Sequence, residues 1–365
     1  MQKRKREIRW SRREFVAGIA TVAASGLLRA QDMPTMAGPG DREMFIVPNF
    51  HPASCGWLTT FSKERVYCAN SYLSHLDRVR DDAQYQFVLS EVNNVIAIMN
   101  FRPERMAELK QRVTEGRVEL VNAFFLESTI NLSGGEALAR MGAVGLRWYE
   151  TMFGVRPRYA WCIDTCGVHD QMAQIAHGLG LDALIYTRKN PTGKTIYWTE
   201  SPDGSRVLTL SPGSYGDAAI IFATKTALTG AELQKLEEQF AEREKITPAG
   251  APLMVISSSG DYSLAPPVKT YPTAFLKQWK DAGIKRDLRF TTLSQYVDAI
   301  TPGVKSGDIR IPTHQGGTAY DFDSFWIENP RVKSWYRESE HGLQAAEALA
   351  TMASLHGSFT YPAQS

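Results

Sequence analysis

The chain has 365 residues, more than one average domain, and fits a single large α/β barrel or a barrel with a small appendage. Its 43% hydrophobic and 22% charged content, with 8 Trp, 14 Tyr and 16 Phe, supplies a core and argues against disorder. Net charge is +2, but the first thirteen residues hold seven cations and one anion; the remaining 34 cations and 38 anions lack the basic surplus a polynucleotide partner requires, and four Cys (55, 68, 162, 166) match neither a disulfide scaffold nor a zinc finger.

Residues 1–31 read as a twin-arginine export signal: a basic start, Ser11-Arg12-Arg13-Glu14-Phe15-Val16, and an apolar stretch of fourteen residues over 15–28 that includes Gly and Ser. That run is shorter than the roughly 20 residues that span a bilayer, and no other is longer, so no stable membrane span is expected. The product is expected in the periplasm or outside the cell. Proteins on that route cross the membrane folded, often with a metal already bound.

From residue 43 onward strand-like and helix-like runs alternate. Residues 44–50, 85–89, 117–123, 158–163, 183–187, 252–258 and 288–291 read as strands. Helical spacing marks 65–80, 103–115, 135–153 (stopping at Gly154), 169–179, 225–244 and 273–282. Alternation of this kind implies parallel strands joined by crossovers. Residues 195–210 depart from it, with two short strands around Pro202-Asp203-Gly204, which predicts an inserted hairpin. Residues 308–330 are irregular and aromatic, and 331–356 form a long amphipathic helix that needs a packing partner.

Reactive side chains in parallel α/β folds collect where strands end. Here His51, Glu91, Asp164, Arg188 and Asp261 each follow a predicted strand. Any one of them could be a helix cap or a solvated loop residue. Asp164 is less easily explained that way, because its neighbours are aromatic, Cys and Gly. Two converging carboxylates can carry out glycoside hydrolysis, and Trp57, Trp161, Tyr262 and Trp326 could stack on sugar rings or belong to the core. Glu91 could orient a sugar hydroxyl or pair with Arg102 or Arg188. His75, His177, His341 and His356 fall on helices and read as surface or packing residues.

Three stretches, Glu115-Gly116-Arg117-Val118-Glu119-Leu120-Val121, Gly154-Val155-Arg156-Pro157-Arg158 and Trp161-Cys162-Ile163-Asp164-Thr165-Cys166-Gly167, resemble the N-terminal catalytic domain of glycoside hydrolase family 38, the retaining α-mannosidases. With the strands read above, the resemblance implies a seven-stranded irregular (β/α) barrel over 42–307. Residues 308–365 would then be an aromatic loop and the first helix of a truncated helical domain. It implies Asp164 as nucleophile and zinc ligand, Asp261 (in Ser259-Gly260-Asp261-Tyr262) as acid/base, and Arg188 on the substrate, a glycan; Trp57, Tyr262 and Glu91 are added as substrate-binding candidates from their residue types and positions. The family's first-strand motif, His-x-Asp-Pro-Gly-Trp, is altered here to His51-Pro52-Ala53-Ser54-Cys55-Gly56-Trp57. Its zinc His falls on Pro52 and its zinc Asp on Ser54, which leaves His51 and Asp164 as metal candidates, with Cys55 or His169 nearby. Two other readings are a sugar-binding relative without turnover and a metal-dependent polysaccharide deacetylase. The latter wants an Asp-Asp pair after the first strand and a His-x-x-x-His pair, neither of which is found. Oligomeric state is not indicated.

Overall fold

The structure is a computed structural model that describes residues 42–52, 56–222, 227–258, 260–319, 329–357 and 359–362, all within one compact unit. The export segment, Cys55 and Trp326 lie outside the described residues.

All seven expected strands are present, most of them shorter than read: β1 (Met44–Pro48), β2 (Phe87–Leu89), β3 (Val118–Leu120), β4 (Tyr159–Cys162), β6 (Ala183–Tyr186), β9 (Leu253–Ser257) and β10 (Leu288–Phe290). β1, β4, β6 and β9 are buried along their whole length, which is why they read as unbroken apolar runs. β1 lies between β9 and β10, parallel to both. β2 pairs in parallel with β3, and a parallel bridge from Asn122 to Tyr159 joins the end of β3 to β4. β4 continues in parallel through β6 to β8 (Arg206–Leu210). β8 forms the expected hairpin with β7 (Ile196–Glu200). Three short strands, β5 (Gly167–Val168), β11 (Thr313–Gln315) and β12 (Thr318–Ala319), complete the set: β11 pairs with β7, and β12 with β5. Pairing among the described residues runs in four sheets, so the architecture is α/β with parallel strands, without a continuous seven-stranded ring of hydrogen bonds.

The helices are α1 (Phe61–Asp81), α2 (Val92–Phe101), α3 (Met106–Thr114), α4 (Gly135–Phe153), α5 (Met172–Gly178), α6 (Gly230–Ile246), α7 (Thr273–Asp281), α8 (Leu293–Ser306) and α9 (Pro330–His356). α2 and α8 are absent from the sequence reading. Val92-Asn93-Asn94-Val95-Ile96-Ala97-Ile98-Met99 is apolar with no polar stripe, and α8 contains Pro302, so neither carries a clean helical signal. α6 starts in a capping box, in which the Thr229 hydroxyl accepts from the Glu232 amide and the Glu232 carboxylate accepts from the Thr229 amide.

At the N-terminal end of the strands, the fully buried Arg286 side chain pairs with Glu237 and Glu244 of α6 and donates to the Arg42 carbonyl at 2.7 Å. α9 touches α4 and the segment before it through polar contacts. The Glu340 carboxylate accepts from the Gly134 amide (2.9 Å), Arg140 pairs with Glu347 (2.6 Å) and Tyr336 bonds Ser133 (3.0 Å). Trp335, Leu343, Leu349, Met352 and Leu355 of α9 stay exposed.

α4 presses on the segment after β3 at Gly145, where a Cβ would sit 2.2 Å from the Ala123 carbonyl oxygen and 2.8 Å from the Phe125 amide nitrogen. Both are backbone atoms and cannot swing aside. Gly145→Ala is therefore expected to destabilise the fold by about 1–3 kcal/mol, read as a lowered denaturant midpoint with unchanged slope.

Candidate active site

The site gathers where parallel strands end. β1 leads into Phe50 and His51, and His51 is buried although it belongs to a loop. β2 leads into Glu91, a buried residue with φ +107, a conformation that costs a non-glycine residue strain. β4 leads into Asp164 and β6 into Arg188, both half-buried. Asn122, fully buried after β3, accepts from the amides of Phe124 and Trp161 (both 3.2 Å) and so ties the segment after β3 to β4.

Asp164 is the hub. Its Oδ1 accepts from the Arg188 guanidinium, its Oδ2 lies 3.2 Å from His51 Nε2, and the Tyr215 hydroxyl reaches the same oxygen at 3.4 Å. Arg188 also donates to the Tyr215 hydroxyl (3.3 Å) and lies 5.4 Å from the centre of that ring. The Asp164 amide donates to Glu127 (2.6 Å), whose other oxygen is 3.7 Å from His51 Nδ1. The imidazole thus has a carboxyl at each nitrogen.

Burial pushes the Glu91 carboxyl well above the ordinary carboxylate range, and the nearby Glu127 charge adds to that, while His51 opposes it. Glu127 is raised by burial too, against the pull of His51 and Arg188. The Tyr215 phenol is pushed up to about 12, first by burial and then by the negative charge of Asp261. The Tyr262 amide donates to the His51 carbonyl at 3.4 Å, which joins the Asp261 loop to the loop after β1.

Other expected residues fall elsewhere. Trp161 is fully buried core, so it cannot stack on a sugar. Trp57 is 63% exposed, on a segment where the amides of Gly56, Leu58 and Thr59 donate to the Glu64 carboxylate of α1. Tyr262 is half-buried and meets Tyr67 edge-on at 5.9 Å. Glu91 faces Glu127 and His51, whereas Arg102 pairs with Glu104 and Arg188 with Asp164. His169 is exposed and pairs with Asp170. Glu127 and Tyr215 are the residues the sequence reading missed. Glu127 follows β3 as the other candidates follow their strands, but seven positions later. Tyr215 lies in the loop after the hairpin.

Zinc needs three or four donors from His, Cys, Asp or Glu around one point. His51 Nε2 and Asp164 Oδ2 are close enough to share an ion, but Glu127 faces the opposite ring nitrogen and Arg188 holds the second Asp164 oxygen. Among the described residues no group of three such side chains is placed to hold a metal. Among the described residues the zinc donors are thus the two expected, His51 and Asp164, and two donors alone do not fit the ion.

Residues 41–317 match the glycosyl hydrolases family 38 N-terminal domain. The chain belongs to this family. Human alpha-mannosidase 2C1 is 28% identical over 167 residues, which cover 44% of this chain and 16% of the human protein. Alpha-mannosidase G of Dictyostelium discoideum is 26% identical over 161 residues, 43% of this chain and 15% of that protein. The solved structure of an alpha-mannosidase from Enterococcus faecalis superimposes with a TM-score of 0.64 at 15% identity, over 76% of this chain and 31% of that one. The match thus covers less than a third of these relatives' lengths.

The raised Glu91 carboxyl has a thermodynamic sign. Between its unfolded value and its higher folded value the native state holds a proton that the unfolded state has lost, so stability falls as pH rises through that window, by about 1.4 kcal/mol per pH unit for one group. Glu91→Gln is expected to be more stable than the parent at pH 8, with the gap in melting temperature shrinking toward pH 5. An equal gap at both pH values would show that the acid is not raised.

Proposed function

We propose that this chain is a retaining glycoside hydrolase of the α-mannosidase type, with Asp164 as nucleophile and Asp261 as acid/base. The observation that carries this reading is the strand-end carboxylate of Asp164, held by Arg188, His51 and Tyr215, with the loop that carries Asp261 bonded to the His51 carbonyl through the Tyr262 amide. A seven-stranded irregular barrel, in which these loops would share one face, is part of the same proposal.

In the proposed reaction Asp164 attacks the anomeric carbon while Asp261 gives its proton to the glycosidic oxygen, and the aglycone leaves as an alcohol. Asp261, now a base, takes a proton from water, and the water oxygen replaces Asp164 on the sugar with net retention. Arg188 and His51 orient Asp164, and the Arg188 guanidinium offsets its charge. The Asp164 amide is fixed on Glu127, so the strand end does not shift as the carboxylate reacts. Exposed Trp57 offers a face for a sugar ring, and Tyr262 and Glu91 border the same loops. Zinc-dependence is a property of the wider family, and no step above passes through a metal. The basic, apolar leader supports export by the twin-arginine route to the periplasm or beyond. No helix among the described residues is long and apolar enough to cross a membrane.

A 2-fluoro mannosyl fluoride is expected to label Asp164, detected by peptide mass, and Asp164→Asn to abolish both labelling and hydrolysis of aryl α-mannosides. Asp261→Asn is expected to lower turnover by about 10²–10⁴-fold. Full activity in Asp164→Asn would overturn the mechanism. The two-donor metal set favours a second reading, a carbohydrate-binding relative. Glycan binding that survives Asp164→Asn, with no turnover by the parent chain, would select it.

A further inference from the structure

Helix α1 carries Ser71, Ser74 and His75 at i, i+3 and i+4, on one face. The Ser71 hydroxyl donates to the Ser263 carbonyl at 2.7 Å, and His75 Nε2 lies 2.9 Å from that same oxygen. The Ser74 hydroxyl donates to the Ser71 carbonyl at 2.7 Å and accepts from the Ala265 amide at 2.9 Å. Three side chains of one helix thus hold the segment immediately after Asp261 and Tyr262.

The protonation of His75 follows from its partners. A carbonyl oxygen only accepts, so Nε2 carries the hydrogen; Nδ1 then accepts from the Tyr85 hydroxyl at 2.8 Å. Burial holds the ring neutral by pulling its pKa down to about 3. The ring is fully buried and stacks on Phe50, the residue before His51. One imidazole therefore touches both the loop that ends in His51 and the loop that carries Asp261. The backbone it restrains is under strain, since Tyr262 has φ +54, a left-handed conformation that a tyrosine holds only when its surroundings enforce it.

We infer that His75, with Ser71 and Ser74, is a positioning residue that locks the strained 261–263 segment and so sets where the Asp261 carboxyl stands relative to Asp164. The role in turnover rests on Asp261 being the acid/base; the grip on the loop does not.

The test uses His75→Phe, which keeps a buried ring and deletes both hydrogen bonds, and His75→Gln, whose amide restores a donor near Nε2. Ser71→Ala removes one of the two donors to Ser263 and replaces His75→Phe if that variant does not fold. A displaced acid matters most when the leaving group needs a proton. Turnover of phenyl α-mannoside is expected to fall about 10²-fold in His75→Phe, while 2,4-dinitrophenyl α-mannoside falls less than about threefold, with KM within about twofold. His75→Gln is expected to recover most of the loss. Equal losses on both substrates, or none, would overturn the role in turnover. Hydrogen exchange reads the lock without any activity. The Ala265 amide is expected to exchange at least about tenfold faster in His75→Phe, with the β6 amides unchanged. If the parent chain cleaves neither mannoside, the reading as a glycosidase fails, and exchange alone decides the lock. Unchanged protection at Ala265 would overturn it.

Discussion

Acids buried side by side impose the main constraint on this molecule. Glu91, Glu127 and Asp164 meet around one imidazole and one guanidinium, in surroundings that penalise every unpaired charge. A structure that keeps such a cluster must hold its backbone in place from outside. Asn122 fastens the segment after β3 to β4, α4 closes on that segment with only a glycine between them, and the Glu91 backbone stays in a strained region. These costs fall at one end of the strands.

At the other end, charge is used differently. Arg286 is buried with two carboxylates and a main-chain carbonyl, so its donors are matched at short range and nothing is left to react. Polar groups that satisfy one another hold the base of the sheet, whereas incompletely matched acids collect where substrate-sized groups can approach. That separation is the physical content of the rule that stability and chemistry occupy opposite ends of parallel strands.

Much of this was legible in the sequence. Fully buried parallel strands write themselves as apolar runs, and Pro202-Asp203-Gly204 marks its hairpin. The strand-end rule picked out His51, Asp164 and Arg188, which the structure places around Tyr215. Elements whose pattern is ambiguous were not legible: α2, apolar along most of its length, and α8, interrupted by proline. Glu127 and Tyr215 escaped because each reaches the site from within a loop, where distance along the chain carries no information about distance in space. Trp161 was open to two readings because an aromatic residue on a strand looks the same whether it faces a ligand or the core. The hydrogen bond from His75 to the loop was not legible because its acceptor is 188 positions away.

Helix α1 also has a mechanical role that depends on its length. Near its first turn the Glu64 carboxylate gathers three amides of the Trp57 segment, and about two turns farther on the same helix holds the carbonyl after Tyr262. Two segments on either side of His51 are therefore registered to a single rigid rod, 21 residues long. A tilt of that rod would carry both segments together and preserve their mutual spacing while changing their alignment with Asp164, which is anchored after β4.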